Sequence, residues 1–239
     1  MPGAVAGHIV VVGRGPCDPV LITLQSWEAL RGASPLYLRT RRHPTIAALP
    51  PGMTCIDFDA VYDDSPDFRT VYRTIAERLL DDARSSDVTY AVPGDPSCGE
   101  ASVQILRSLA EAAEIELRIL PGVSFLEPSL ALAGIDCLDG LFICDALDLA
   151  SAHHPPFPQD RPALIGQLYS TLVATDVKLT LMNQYPGTHP VGLIHEAGTD
   201  GGRIEHVPLH DIDRSASLGL RSSLLIPALP AGASFESFQ

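Results

Sequence analysis

Through the first half of the chain, short β-branched and apolar runs alternate with longer stretches of helical period. His8–Val12 is such a run, ended at once by Gly13, and reads as a buried strand followed by a turn. Leu36–Arg39, Val88–Val92 and Ile115–Leu120 read as further strands, the last two closed by Pro93-Gly94 and Pro121-Gly122. Between them, Phe68, Val71, Tyr72, Ile75, Ala76, Leu79, Leu80 and Ala83 recur at i, i+3, i+4, i+7 spacing. That spacing puts them on one face of a helix over Asp67–Arg84, with Ser65 as its expected N-cap and Pro66 at its first position. Glu100–Ala113 predicts a second helix, with Val103, Leu106, Ala110 and Ala113 turned inward. This β-α-β-α order predicts an α/β layer around a largely parallel sheet.

The second half has a different rhythm. Phe125–Ala133 predicts a helix, Leu141–Asp145 a strand, and Ala163–Val173 a helix begun near Asp160 and Pro162. Lys178–Met182, Val191–His195, Arg203–Val207 and Leu224–Ala228 read as strands, several joined by tight turns such as Asp200-Gly201-Gly202. Short connections favour antiparallel pairing, so this half is expected to hold a mixed sheet. Ala150–Arg161 has no apolar period and reads as a surface loop. The expected organisation is two α/β domains, residues 1–120 and 121–239.

Composition narrows the function. The chain has 239 residues, 16 Lys+Arg against 29 Asp+Glu, and a formal net charge of -13. A surface of that sign repels phosphate, which excludes general nucleic-acid binding and docking on an anionic membrane. The most apolar later stretch, Leu126–Leu147, is interrupted by Glu127, Asp136, Asp139 and Asp145 and does not span a bilayer cheaply. The N-terminus lacks the basic and apolar regions of a signal peptide. Five cysteines, Cys17, Cys55, Cys98, Cys137 and Cys144, with no C-x-x-C pair, predict neither a disulfide framework nor a zinc site. These features predict a cytoplasmic protein. His189, His195, His206 and His210 lack ligand spacing, so no metal is expected.

Three loops carry the candidate chemistry. Each follows a strand and is rich in Gly and Pro: Gly13-Arg14-Gly15-Pro16-Cys17-Asp18-Pro19, Pro93-Gly94-Asp95-Pro96, and Pro121-Gly122-Val123-Ser124-Phe125. Glycine lets backbone approach a ligand, and loops at the carboxyl ends of parallel strands are where α/β sheets bind ligands. The first loop is not a dinucleotide fingerprint, because G-x-G-x-x-G needs glycine where Asp18 stands. An NADP-binding reading, with Arg39 near the ribose phosphate, fails on the same ground. No P-loop motif occurs. Asp95 alone is equally explained by an Asx-turn with its own backbone.

Taken together with Leu179-Thr180-Leu181-Met182 and His195-Glu196-Ala197-Gly198-Thr199, the order and spacing of these loops resemble the tetrapyrrole methylase family. These are class III methyltransferases that use S-adenosylmethionine and release S-adenosylhomocysteine. Tyr37-Leu38-Arg39-Thr40 with His43-Pro44, Tyr90-Ala91-Val92-Pro93-Gly94, Asp145-Ala146-Leu147-Asp148-Leu149 and Lys178-Leu179-Thr180-Leu181-Met182 resemble most the methylase-like N-terminal domain of MazG-type fusion proteins. The resemblance implies two α/β domains with the cofactor in the cleft between them, and a homodimer. It places Pro16, Gly94, Asp95, Cys98, Ser124, Phe125, Met182 and Gly198 around the cofactor. Gly94 and Asp95 would offer backbone and carboxylate to its methionine portion, and Met182 and Gly198 would line its adenosine. It also implies a small-molecule acceptor; no acidic hydrolase helices occur in this sequence, and whether a separate MazG-type hydrolase is a partner stays open.

Methyl transfer from a sulfonium needs alignment and exclusion of water rather than a nucleophilic side chain, so the absence of a catalytic triad is no objection. No catalytic residue is assigned. Uroporphyrinogen methylases carry a Tyr-Asp pair at the end of the second strand, and here the pair is Tyr37-Leu38. The missing carboxylate motivates an alternative reading as a non-catalytic regulatory domain that binds the cofactor. In its place follows the densest basic run of the chain, Arg39-Thr40-Arg41-Arg42-His43. Arg forks bind carboxylate or phosphate, so Arg39, Thr40 and His43 are candidate contacts to an acidic acceptor, against the plain alternative of a solvated, salt-bridged loop.

Overall fold

The computed structural model describes residues 7–229, which form two compact units meeting between Ser124 and Phe125. The first unit is built on five strands: β1 (Ile9–Gly13), β2 (Leu36–Leu38), β3 (Cys55–Asp57), β4 (Val88–Val92) and β5 (Leu117–Leu120). Their order across the sheet is β3-β2-β4-β1-β5 and every pairing is parallel. Both faces are covered, as parallel sheets require. Ile9 and Val11 pack on one side with Val71, Ile75 and Leu79, while Val12 packs on the other with Leu30, Leu36 and Leu38.

The helices of this unit are α1 (Leu24–Gly32), α2 (Asp59–Asp64), α3 (Phe68–Ala83) and α4 (Ala101–Ala112). The amphipathic pattern located α3 and α4, but α3 begins later than expected. Asp67, not Ser65, is its N-cap and accepts from the Thr70 amide at 2.9 Å. A carboxylate here both satisfies an orphan N–H and faces the helix dipole. Sequence pattern missed α1, α2 and the three-residue β3, which are too short or too polar to show a period.

The second unit carries β6 (Phe142–Asp145), β7 (Ala163–Gly166), β8 (Pro190–His195), β9 (Arg203–Pro208) and β10 (Ser222–Ile226) in the order β6-β7-β10-β8-β9. Only β6 and β7 pair in parallel, so the sheet is mixed as expected. Its helices are α5 (Leu126–Ala133), α6 (Ala146–Ser151) and α7 (Thr171–Leu181). Two expectations are reversed. Ala163–Gly166 is a buried strand rather than the start of a helix, and Lys178–Met182 is the end of α7 rather than a strand. A four-residue apolar run has no readable period and here sits between β6 and β10. Ser170 then caps α7 by accepting from the Val173 amide, and Val173, Ala174, Val177, Thr180 and Leu181 bury its inner face. The 150–161 stretch is also not all surface, since Phe157 is buried against Phe142 with ring centroids 5.2 Å apart.

Candidate functional site

In the first unit the three Gly-Pro loops leave β1, β4 and β5, which are adjacent, at the same edge of the sheet. They are stapled to one another. The Gly94 amide donates to the Gly15 carbonyl at 2.8 Å. Asp95 Oδ2 accepts from the Gly122 amide at 2.8 Å, and its Oδ1 accepts from the Ser97 amide at 2.7 Å. A Cβ on Gly122 would fall 2.4 Å from the Gly94 carbonyl oxygen, and one on Gly13 would fall 2.7 Å from the same atom. Glycine at these positions is therefore a requirement of backbone packing backbone.

Gly94 differs from the other two. It has φ +64, and the nearest atom to a Cβ there would be the Ser124 Cα at 3.9 Å. The left-handed backbone demands glycine, while within this unit no side chain crowds the position. Cys98 donates its amide to the Asp95 carbonyl at 3.1 Å, and Ser124 is buried. Thr23 and Ser26, at the start of α1, donate their hydroxyls to the Pro121 carbonyl. Thus Pro16, Gly94, Asp95, Cys98 and Ser124 do lie on one loop cluster. The Asp95 carboxylate, expected to face a ligand, instead has both oxygens engaged by backbone amides, and one of those bonds is the Asx-turn.

The basic run follows β2 and is engaged at almost every residue. Arg39 donates from Nε to the Tyr62 hydroxyl at 2.8 Å, from Nη2 to the Tyr72 hydroxyl at 3.2 Å, and pairs through Nη1 with Glu100 at 2.9 Å. Both rings also lie within cation–π reach. Glu100 is almost fully buried, and burial pushes its carboxyl above the usual range, opposed by Arg39 and the Ser102 hydroxyl. Ser102 in turn bonds the buried Tyr90. Arg41 pairs with Asp57 and Arg42 with Asp63. Thr40 donates to Asp59, and His43 bonds Thr45 and the Pro16 carbonyl. Arg41 and Arg42 stay exposed in salt bridges, as the plain alternative of a solvated, salt-bridged loop expected, while the donors of Arg39 are held in place by a carboxylate and two tyrosines.

Sequence reasoning did not single out Arg14, which is fully buried beneath the first loop. Burial lowers its pKa to about 10, which leaves it charged at neutral pH. Nη2 donates to the Thr40 carbonyl at 2.8 Å and Nη1 to the Thr45 hydroxyl at 3.5 Å, while Nε has no partner. Nothing in a lone arginine between two glycines announces such burial.

In the second unit, Leu224 pairs with Ile165 on one side and Leu193 on the other, so β6, β7 and β8 run in one direction and end at one edge. That edge carries Asp145, Gly166-Gln167 and Glu196–Gly198. Gln167 and Glu196 both hold left-handed backbone, φ +62 and +55, a conformation that costs a non-glycine residue ~1–2 kcal/mol. Such strain clusters at functional edges. The Gln167 amide donates to Asp145 Oδ2, and Glu196 pairs with Arg221 at 2.6 Å. Gly166 is roofed by Phe125, whose Cζ lies 2.6 Å from where a Cβ would stand.

Gly198, with φ +84, lies on this edge. Met182 does not. It caps the C-terminus of α7, which runs back from β7 to the start of β8, and its Cε lies 3.2 Å from where a Cβ on Gly187 would stand. The expected Met182–Gly198 pairing is thereby corrected: the two sit at opposite ends of the second sheet. The residue that follows β7 and shares an edge with Gly198 is Gln167, because Ala163–Gly166 is a strand rather than a helix.

The histidines are held apart. His189 bonds the Pro227 carbonyl, His210 the Gly187 carbonyl, and His195 lies between Ser222 at 3.0 Å and Glu205 at 3.3 Å. Among the described residues no group of three or more His, Cys, Asp or Glu side chains is arranged to hold a metal. No helix among them is long and apolar enough to cross a membrane.

Comparison with known proteins gives consistent results. The chain is 35% identical over 230 residues to the uncharacterized protein YabN of Bacillus subtilis (strain 168), covering 94% of this chain and 45% of YabN. It therefore spans about half the length of that curated relative. Among solved structures, uroporphyrin-III C-methyltransferase from Thermus thermophilus superposes with a TM-score of 0.66 at 20% identity, covering 93% of each chain. The same enzyme complexed with S-adenosylhomocysteine gives 0.65 at 17% identity, over 92% of this chain and 97% of that one. A cobalt precorrin-4 methyltransferase of cobalamin biosynthesis gives 0.67 at 17% identity, over 92% and 94%. At these identities the structural likeness is one of fold. Residues 8–213 match the family described as Tetrapyrrole (Corrin/Porphyrin) Methylases, and with its parallel sheet, mixed sheet and glycine loops the chain belongs to that family.

Proposed function

We propose that the protein binds S-adenosylmethionine and transfers its methyl group to a small-molecule acceptor whose identity is open. The observation that carries this reading is the stapled loop cluster of the first unit. Three backbone turns are locked together by Asp95 and Gly94, and Gly94 keeps a side uncrowded by side chains. The donor set fits such a group: rigid backbone and small side chains suit close approach by a polar amino-acid moiety. When bound, the cofactor supplies a methyl already activated on sulfur. The chain's part is to align and to exclude water. Pro16, Gly94, Cys98 and Ser124 would form the wall, and Asp95 would hold that wall by fixing Gly122 rather than by touching the ligand. Within the second unit, Gly198 and, in the place expected for Met182, Gln167 lie at one strand-end edge. Arg39 is committed to Glu100, Tyr62 and Tyr72, Thr40 to Asp59, and His43 to Thr45 and the Pro16 carbonyl, so this run would brace its loop rather than clasp an acidic acceptor.

A second reading is favoured by one observation. Leu38, standing where uroporphyrinogen methylases carry a carboxylate, is fully buried, so no acid reaches the edge from that position. This favours a regulatory domain that senses S-adenosylmethionine or its product, as in the MazG-type fusions it resembles, acting as a homodimer.

Calorimetric titration separates these readings from their absence. Saturable binding of S-adenosylmethionine and S-adenosylhomocysteine, but not of NADPH, is the expected result. Asp95→Ala frees the third loop and is expected to weaken binding ~10-fold, the worth of about one charge-assisted hydrogen bond. Failure of the unaltered chain to bind either adenosyl compound overturns both readings.

A further inference from the structure

The sheet ladder does not join the first loop to the segment after β2, because β4 lies between β1 and β2. Yet the two are braced in both directions. From the loop, Arg14 Nη2 donates to the Thr40 carbonyl at 2.8 Å and Nη1 to the Thr45 hydroxyl at 3.5 Å. From the segment, His43 Nε2 lies 2.9 Å from the Pro16 carbonyl and Nδ1 lies 2.8 Å from the Thr45 hydroxyl.

The chemistry of these partners fixes where the protons sit. A carbonyl only accepts, so His43 Nε2 carries the hydrogen. In the neutral ring Nδ1 then accepts, and Thr45 donates to it. The Thr45 oxygen is left to accept from Arg14, a group that only donates. The circuit therefore closes with one consistent polarity: Arg14 to Thr45, Thr45 to His43, His43 to Pro16, and Arg14 is two residues from Pro16. Arg14 is fully buried and Thr45 nearly so, which makes each bond expensive to leave unmade.

We propose that Arg14, Thr45 and His43 form a lock that positions the first loop, so that the order of Pro16, and with it ligand affinity, is set from the segment after β2. His43 is on this account a positioning residue. The affinity part rests on the S-adenosylmethionine reading above; the lock itself does not.

The test uses the full chain with His43→Phe, which fills the space but donates nothing, and His43→Gln, whose amide restores a donor toward Pro16. The reporter is hydrogen exchange at the Gly94 amide, which bonds the Gly15 carbonyl of the locked loop. The control is the Gly122 amide, which bonds Asp95 instead. His43→Phe is expected to raise Gly94 exchange and the Kd for S-adenosylhomocysteine each ~10-fold, with Gly122 unmoved and His43→Gln close to the unaltered chain. Nitrogen-15 spectra should show the His43 ring as the Nε2–H tautomer. Unchanged Gly94 exchange in His43→Phe, equal acceleration of Gly94 and Gly122, failure of His43→Gln to restore protection, or the Nδ1–H tautomer each overturns the lock. Absence of binding by the unaltered chain overturns the S-adenosylmethionine reading and the affinity part of the proposal. The exchange pattern alone then decides whether the lock stands.

Discussion

The strand-end edges of the two units hold their loops by opposite means. In the first unit, charge is taken inside: Arg14 and Glu100 are buried, Arg39 is half-buried against Glu100, and glycines let three loops touch backbone to backbone. In the second, charge stays at the surface in the Glu196–Arg221 pair, and the backbone is held in left-handed conformations at Gln167 and Glu196. A buried pair punishes the loss of one partner, because the other is stranded without water. A surface pair is replaced by solvent at little cost. The first edge is thus built to keep one shape, and the second retains polar groups open to solvent.

Removing one carboxylate from each edge gives the sharpest contrast. Glu100→Ala strands Arg39 and is expected to destabilise the chain by ~3–5 kcal/mol, whereas Glu196→Ala is expected to cost no more than ~1 kcal/mol. Equilibrium urea unfolding of both variants checks this, and equal losses would erase the distinction between the edges. Smaller in effect is a pair of added methyl groups. Gly122→Ala drives a Cβ into the Gly94 carbonyl and is expected to cost ~3 kcal/mol, with the loop staple lost. Gly166→Ala meets only the tip of the Phe125 ring, which can swing aside, and is expected to cost ~1 kcal/mol. A larger drop in thermal midpoint for Gly166→Ala would reverse the assignment of which edge is rigid.

The smallest expected effect concerns pH. Burial lowers the His195 pKa below its ordinary 6.5, with the bond to Glu205 opposing. The unfolded chain then binds the proton first, so His195 contributes stability that is present above pH 6.5 and is lost as pH falls through that window toward the folded value. Arg14, at about 10, stays charged throughout and adds no slope there. His195→Gln should flatten the loss of stability as pH falls below 6.5, read by urea unfolding at several pH values. An unaltered slope would place the titration elsewhere.

Much of this was legible in the sequence because it is local. Gly-Pro punctuation located three loops, the 3.6-residue period located α3 and α4, and the change of rhythm after Pro121 marked a second sheet of mixed direction. These signals depend on residues a few places apart, whose backbone preferences act before any tertiary contact forms. Only the tertiary structure decided the rest. Ala163–Gly166 became a strand because β6 and β10 flank it, and that choice moved Met182 to the far end of its sheet and brought Gln167 to the edge beside Gly198. Arg39 reads as an available fork until Glu100, Tyr62 and Tyr72 arrive from three other elements, and Arg14 reads as a loop residue until the segment after β2 closes over it. Hydrogen-bond partners and burial are properties of neighbours distant in the chain, and no local pattern encodes which of them will be near.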